Sequence, residues 1–511
     1  MPKAKRNAED EIALLIRARY PLVYISSYEE ARVIDALKRI TGDRAKKLFT
    51  WTVTEGLKRV DAPDLTAQVT TPQHNDAMGV LDLIDRSKDN AVYALIDFHP
   101  YLEDKRIVRK LRDLAQTLKA SYKTLIILSP VLSLPAELEK DVTLVEFPLP
   151  DEQALRRVLD EIINSLRDNT KVTVNLDEAA IESLVKAALG LTAAEAENAF
   201  AKAIVLDGAL TASDLSVILE EKEQVIQKTG FLQYYHAQTE INHIGGMDKL
   251  KAWLHKRAQA FTYRAQSFGL PAPKGLLLIG VQGCGKSLTA KAVSSLWQMP
   301  LLRLDLGALF SGYIGSSEEN TRKAIAAAER VAPCILWLDE IEKGLSGVQS
   351  SAQSDAGTAS RVFSTFLTWM QEKEAPVFVI ATANDISQLP PELMRKGRFD
   401  EIFFIDLPQA AEREEIFRIH LKKRGRKPEA FDTARLAQMA GGFSGAEIEQ
   451  AVISALYDAF DEGTDIGQKH IEAALCETVP LSKTACETID DLRSWAESRA
   501  RFASSRPGKP A

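Results

Sequence analysis

Gly280-Val281-Gln282-Gly283-Cys284-Gly285-Lys286-Ser287 is the stretch on which the reading of this chain turns. It fits G-x-x-x-x-G-K-[ST] at every fixed position. Leu276-Leu277-Leu278-Ile279 precedes it, a short apolar run that reads as a buried strand. Leu288 to Met299 follows, with Ala290, Ala292, Val293 and Leu296 at helical spacing. Strand, glycine loop and helix form the setting the motif requires. The glycines let the backbone curl so that successive N–H groups face one anion. The helix N-terminus adds its partial positive charge. Lys286 then reaches the outer phosphates of a nucleotide, and the Ser287 hydroxyl is placed to hold Mg²⁺.

Two later stretches supply partners. Cys334-Ile335-Leu336-Trp337-Leu338 is an apolar strand that ends in Asp339-Glu340. If it lies beside the loop strand, Asp339 reaches the Mg²⁺ shell and Glu340 points where a water attacks the γ-phosphate. Pro376 to Ala381 is another buried strand, and Asn384 just beyond it suits orientation of that water. Met394-Arg395-Lys396-Gly397-Arg398-Phe399-Asp400 carries two guanidinium groups. Arg395 and Arg398 are candidates for stabilising transition-state charge from a neighbouring subunit, or else solvated surface groups. Gly312-Tyr313-Ile314-Gly315-Ser316 reads as an exposed functional loop, and Gly344 to Ser360 as a mobile one. Ile244-Gly245-Gly246 is a turn before a helix expected from Met247 to Phe261. Helices are expected at Glu412–Lys422, Ser444–Phe460, Ile466–Leu475 and Asp490–Arg501. The tail from Ala503 reads as disordered by composition.

The first half alternates strands and helices: Tyr20 to Ile25, Ala91 to Asp97 and Thr124 to Leu128 are the strands. Segments of it parallel the second half in order. Gly190 to Glu197 parallels Gly442 to Glu449 at an offset of 252, Leu22 to Ile25 parallels Leu276 to Ile279 at 254, and Leu134 to Leu138 parallels Leu389 to Leu393 at 255. This argues for duplication. The chemistry is missing from the first copy. Ser26-Ser27-Tyr28-Glu29-Glu30 has neither glycine nor lysine, and Phe98 follows Asp97 where a catalytic carboxylate is expected. The first half is therefore a degenerate copy for assembly or partner binding, or a plain spacer.

The chain has 511 residues, enough for two to four domains. Its 45% hydrophobic and 26% charged content is that of a globular protein, and a net charge of −7 favours neither nucleic acid nor an anionic membrane. No apolar run approaches a membrane span or a signal peptide. Four cysteines without C-x-x-C fit a reducing compartment and give no zinc site.

Ile244-Gly245-Gly246, the phosphate loop, Tyr313-Ile314-Gly315, Asp339-Glu340, Asn384, Gly397-Arg398-Phe399-Asp400 and Gly442-Phe443-Ser444-Gly445-Ala446 stand in one order. That order resembles the AAA+ ATPases of the narrower AAA clade over about residues 241–480. The whole layout is most similar to the conserved plastid-reading-frame AAA proteins of cyanobacteria and algal plastids. The resemblance implies an α/β fold: a P-loop AAA+ module with a parallel sheet and a helical lid, after a degenerate AAA+-like α/β domain. Expected boundaries are 1–225 for the degenerate domain, 226–408 for the nucleotide-binding subdomain, 409–480 for the lid and 481–511 for a last helix and tail.

It implies ATP with Mg²⁺ held by Gly280, Gln282, Gly283, Cys284, Gly285, Lys286, Ser287 and Leu288. Ile244 and Gly245 would contact adenine, and Gly445 and Ala446 would pack near it from the lid. Asn384 would be the polar sensor, and Arg395 and Arg398 fingers acting in trans in a homo-oligomer, a hexameric ring. Tyr313 and Ile314 would face a pore and grip a protein client. The expected function is an ATPase remodelling a protein partner, in the cytoplasm or a plastid stroma. The alternative is a nucleotide-dependent switch or scaffold docking a partner through the first half. A nucleic-acid motor has no basic stripe to support it. Two departures stand out. His243 sits where the family often has an acid, and Met394-Arg395-Lys396-Gly397 replaces Leu-Arg-Pro-Gly. No His-Glu-x-x-His occurs, which excludes the fused zinc protease of some relatives.

Overall fold

In a computed structural model the structure describes residues 7–60, 76–166, 172–228, 230–235, 241–261, 263–310, 316–344, 356–387, 389–395 and 397–505. The chain divides into two compact units, Met1–Leu219 and Glu220–Ala511. The division falls inside the helix Leu215–Gln227. Among the described residues no helix is long and apolar enough to cross a membrane.

The first unit is built on β1 (Leu22–Ser26), β2 (Lys47–Thr52), β3 (Gly56–Arg59), β4 (Ala91–Ile96), β5 (Thr124–Ser129) and β6 (Val142–Glu146), in the order β3-β2-β4-β5-β1-β6. All neighbours are parallel except β3, which returns antiparallel to β2. Helices cover both faces, so β4 and β5 are buried at every position and show no alternation. The helix Lys105–Lys119 shows why: Ile107, Val108, Leu111, Leu114, Ala115 and Leu118 form one buried stripe, and Asp104 caps its start. Three helices, Glu152–Leu166, Glu178–Ala188 and Ala193–Asp207, follow with the short pair β7 (Thr173–Asn175) and β8 (Ala209–Thr211).

The second unit holds β9 (Leu232–Tyr235), β10 (Gly275–Gly280), β11 (Leu301–Leu304), β12 (Cys334–Leu338), β13 (Val377–Ala383), β14 (Glu401–Ile405) and β15 (Arg501–Phe502). Their order is β15-β14-β10-β13-β12-β11-β9, parallel except for β9 at one edge. The helices Ala410–Lys423, Thr433–Met439, Gly445–Asp461 and Gln468–Glu477 enclose a separate small core around Phe417, Leu436, Ile448, Val452 and Ile471. The expected helix from Met247 is shorter, Asp248–Arg257. Of the expected mobile loop, residues 345–355 lie outside the described residues, and 356–360 open the helix Ala356–Glu372. The tail is not loose at Ala503: through Ser505 it is hydrogen-bonded into the second unit.

Both units run their five central parallel strands in one order. Counted along the chain, β6-β1-β5-β4-β2 and β14-β10-β13-β12-β11 are each fifth-first-fourth-third-second. The duplicated layout agrees with the internal parallels, with one change of register. Val23 and Ile25 pack with the helix Glu30–Gly42 that follows them, as Leu276 and Leu278 pack with Lys286–Trp297. Ile25 therefore matches Leu278 and not Ile279, because a one-residue slip would turn the strand's faces over. The same logic moves the acids. Asp97 and Glu340 each follow the third of these strands, with φ of 51° and 50°. Asp97 thus stands in the place of Glu340, and apolar Ile96 in the place of Asp339. The acid that the first copy lacks is the counterpart of Asp339, and Phe98 is one residue beyond the counterpart of Glu340.

Candidate functional site

β10 lies between β13 and β14 and ends at the glycine loop. Val281 N–H donates to the Ile405 carbonyl at 3.0 Å. A Cβ on Gly280 would stand 2.0 Å from that same oxygen, so only glycine passes there. The helix Lys286–Trp297 then starts with its open N–H groups toward the loop. Lys286 is buried, and its Nζ donates to the carbonyls of Gly280 and Val281, each at 2.8 Å. Burial lowers its pKa to about 8. Cys284 beside it is a buried thiol, pushed up to about 12 by desolvation, and so is inert packing.

β12 and β13 bring the acids. Ser287 Oγ donates to Asp339 Oδ1 at 2.9 Å, and Thr382 Oγ1 donates to the same oxygen at 2.8 Å. Thr382 Oγ1 also accepts from the Glu340 N–H at 2.9 Å, fixing both acids from one hydroxyl. Asn384 Nδ2 donates to Glu340 Oε1 at 3.1 Å. The other Glu340 oxygen pairs with Lys343. That ammonium, first among several influences, holds the Glu340 carboxyl below the usual carboxylate range. Ser287 and Asp339 form a hard-oxygen pair that suits Mg²⁺. Among the described residues there is no group of three or more His, Cys, Asp or Glu able to hold a metal. A cation held by Ser287 and Asp339 would need its remaining ligands from phosphate and water, as suits Mg²⁺.

The lid closes the other side. Ala446 N–H donates to the Gly283 carbonyl at 3.0 Å, after a capping box in which Ser444 and Glu447 satisfy each other. A Cβ on Gly245 would meet Ile416 Cγ1 at 2.5 Å, so the lid's first helix rests on the Ile244-Gly245 turn. The result is a cleft of about 340 Å³, in the size range of ligand sites. Of the residues expected to bind nucleotide, Ile244, Gly245, Gln282, Gly283, Cys284, Gly285, Lys286, Ser287, Leu288, Gly445 and Ala446 all line it, with Glu340 and Asn384. Gly280 contributes its carbonyl to Lys286.

Arg395 and Arg398 are not brought to this cleft. Tyr313 and Ile314 lie outside the described residues. Sequence reading missed Thr382, Glu342 and, on the lid wall, His420. Glu342 is 5% exposed, and its Oε1 accepts from both the backbone N–H and Nδ2 of Asn384, each at 3.0 Å. His420 stands one helical turn after Ile416, a spacing the expected helix already contained. Burial keeps its imidazole below the usual range, against the pull of Glu449.

In the first unit the corresponding place is filled from within. Glu29, 4% exposed, accepts from the Ala193 N–H at 2.8 Å. Ala193 opens the helix that corresponds to Gly445–Asp461. A carboxylate of the chain itself thus occupies the helix N-terminus that in the second unit faces the phosphate loop.

The comparisons with known proteins agree with this geometry. The family described as ATPase family associated with various cellular activities (AAA) matches residues 276–407. The SpoVK-like AAA ATPase N-terminal domain matches residues 8–147, and its second domain residues 153–229. The chain is 41% identical over 502 residues to the uncharacterized AAA domain-containing protein ycf46 of Trieres chinensis, covering 97% of this chain and 98% of that one. It is 41% identical to the protein of the same description from Guillardia theta, over 97% of this chain and 96% of that one. The ATPase family protein 2 homolog of Caenorhabditis elegans is 31% identical over 290 residues, 54% of this chain and 39% of its own. A phosphate loop beside an acid-tipped strand under a helical lid, with full-length likeness to the ycf46 proteins, shows that this chain belongs to the AAA ATPase family.

Proposed function

We propose that the chain hydrolyses ATP with Mg²⁺ and uses the turnover to remodel a protein partner within a homo-oligomeric ring. The observation that carries the hydrolytic part is the convergence of Ser287–Asp339 and Glu340–Asn384 beside the Lys286 loop in one cleft. The loop N–H groups and Lys286 take the phosphates, the lysine leaving its two carbonyls for them. Ser287 and Asp339 would hold Mg²⁺, which supplies positive charge to the phosphate oxygens when bound. Glu340 accepts the proton of the attacking water, and Asn384 orients that water. Ile244 and Gly245 form the base end of the cleft, Arg395 and Arg398 act on a neighbour's site, and Tyr313 and Ile314 grip the client. The division 226–408, 409–480 and 481–511 follows these roles, with 1–225 as the non-hydrolysing copy. Phosphate release from ATP, measured with and without an unfolded model protein, tests the reading. Turnover indifferent to any unfolded chain removes the remodelling part; absent turnover removes the whole.

A second reading, a nucleotide switch that docks a partner through the first half, draws on the Glu340–Lys343 pair. A base held by an ammonium is a weak base, and slow turnover suits a switch.

Two expected results belong to this site. Before a phosphate arrives, burial holds Lys286 at about 8. Bound phosphate favours the ammonium and raises that value, so above pH 8 binding must take up a proton. ATP affinity should therefore be flat below pH 8 and fall by up to about tenfold per pH unit above it. Calorimetric titrations from pH 7 to 9.5 read the slope, and a flat profile would place the lysine away from the phosphates. The other concerns Glu342. Glu342→Ala takes away the acceptor of the Asn384 backbone N–H and one of the two acceptors of its side-chain amide, leaving only Glu340, a loss of ~1–3 kcal/mol in positioning. Steady-state kinetics should show kcat down by about tenfold with KM little changed, and an unaltered kcat would make Glu342 packing only.

A further inference from the structure

The last described residues form a strap across the base end of the cleft. β15 adds to the edge of β14, with Phe403 opposite Arg501 and Phe404 opposite Phe502. The Phe404 and Phe502 rings meet edge to face at 5.3 Å. Ala503 is buried. Its N–H donates to the Phe404 carbonyl at 2.9 Å, and its carbonyl accepts from Lys249 and Leu250 at 3.0 and 3.1 Å. Those two N–H groups are orphans of the helix Asp248–Arg257, so the strap caps that helix from outside. The helix begins directly after the Ile244-Gly245-Gly246 turn that lines the cleft.

Two serines then tie the turn to the lid. Ser504 Oγ accepts from the Met247 N–H at 3.3 Å and donates to Glu412 Oε1 at 2.5 Å. Met247 holds φ 57°, a conformation that a side chain other than glycine's adopts only when its surroundings fix it. Ser505 N–H and Oγ donate to Asp248, at 2.8 and 2.5 Å, and the Ser505 carbonyl accepts from Gln409 Nε2 at 2.7 Å. Gln409 and Glu412 are the cap and first turn of the lid's first helix. At the strap's other end Arg493 forks onto Asp406, at 2.9 to 3.0 Å, just before the Leu407-Pro408 connection to the lid.

We propose that this segment, with Ser504 as its central contact, is a positioning strap that sets the lid against the base-binding turn and so governs how fast nucleotide leaves. The proposal rests on the reading of the cleft as a nucleotide site. Ser504 touches no nucleotide; it acts through Met247 and Glu412. A lid that swings must break Ser504–Glu412 and Gln409–Ser505 together. The Ser504–Glu412 contact is part-buried and charge-assisted, so it counts for more than the exposed Gln409–Ser505 bond beside it.

The test uses the full chain with Ser504→Ala, and Ser504→Thr as the variant that keeps the hydroxyl. Stopped-flow release of a fluorescent ADP should speed up by roughly tenfold in Ser504→Ala. KM should rise in step, kcat should not fall, and Ser504→Thr should return both toward wild type. Amide hydrogen exchange without nucleotide gives a second reading: Met247 and Ser505 should exchange faster in Ser504→Ala alone. Unchanged exchange overturns the strap whether or not the cleft binds nucleotide. Faster exchange with unchanged release overturns its control of the site. A wild-type chain that binds no fluorescent ADP while its exchange responds to Ser504→Ala fails the nucleotide reading, leaves a purely structural strap, and so overturns the proposed control.

Discussion

Glu340→Gln is expected to slow ATP turnover by ~10²–10⁴-fold while ATP binding survives. The geometry limits the damage to one property. Glutamine keeps the length of the side chain and keeps an oxygen for Asn384 Nδ2, which now bonds Glu340 Oε1 at 3.1 Å. The backbone at 340 is held by the Thr382 hydroxyl, so its φ of 50° is not released. Ser287 and Asp339 are untouched, and so is Lys286. Only the basicity is lost, together with the ion pair to Lys343. Phosphate release in a single turnover and filter binding of ATP separate the two quantities. Turnover at the wild-type rate would assign the base to another group. Weakened binding with it would mean that the 340 backbone had moved and dragged Asp339 along.

The parts of the site legible from sequence are those whose chemistry demands neighbours in the chain. A phosphate loop needs its glycines, lysine and serine within eight residues, and the acids must end a strand. Glu342 and Thr382 carry no such signature. They matter because β12 and β13 lie side by side with Leu338 opposite Ala381, which puts Thr382 between Asp339 and Glu340. The register of the first copy was hidden for a related reason. Strands buried on both faces have no polar positions to mark a face, so Leu22 to Ile25 slides by one without penalty. Only the helix packed on Val23 and Ile25 decides it. The strap was least visible of all. Two residues of strand have no periodicity, and Ser504-Ser505 in a Pro/Gly/Lys-rich tail reads as solvent-exposed until its partners at Met247, Asp248 and Glu412 are known.

The first copy keeps an acid, Asp97, in the position of Glu340 and has Ile96 in the position of Asp339. It has no lysine, and Glu29 stands where phosphate would meet the lid helix. A buried carboxylate at that N-terminus does electrostatically what a phosphate does, without coming or going. In the first copy the chain itself thus fills the place that the second leaves open as a cleft.

Arg398→Ala is expected to reduce turnover by ~10³–10⁵-fold in a uniform assembly, and to be rescued by a partner that is itself inactive. The distance argument is internal to the sheet. Lys274 and Gly275 N–H groups donate to Asp400 Oδ2 at 2.7 and 2.9 Å, and Lys274 Nζ donates to the Gly397 carbonyl at 3.1 Å. The arginine loop therefore sits at the start of β10, whereas the phosphate loop follows its end at Gly280. Five residue steps of strand separate the two, about 17 Å at ~3.3 Å per residue. That is more than an arginine side chain spans. Arg395 is exposed, and Arg398 is half-buried with its guanidinium on the Glu392 carbonyl. Neither can serve the cleft of its own chain, so each is either idle or serves another's. Mixing Arg398→Ala with Glu340→Gln chains decides between these. A head-to-tail interface then pairs an intact base with an intact arginine at about a quarter of the contacts in an equimolar mixture. Turnover should return to about that fraction of wild type, although each variant alone is inactive. Mixed assemblies that form and stay inactive at every ratio would leave Arg398 without a part in a neighbour's chemistry.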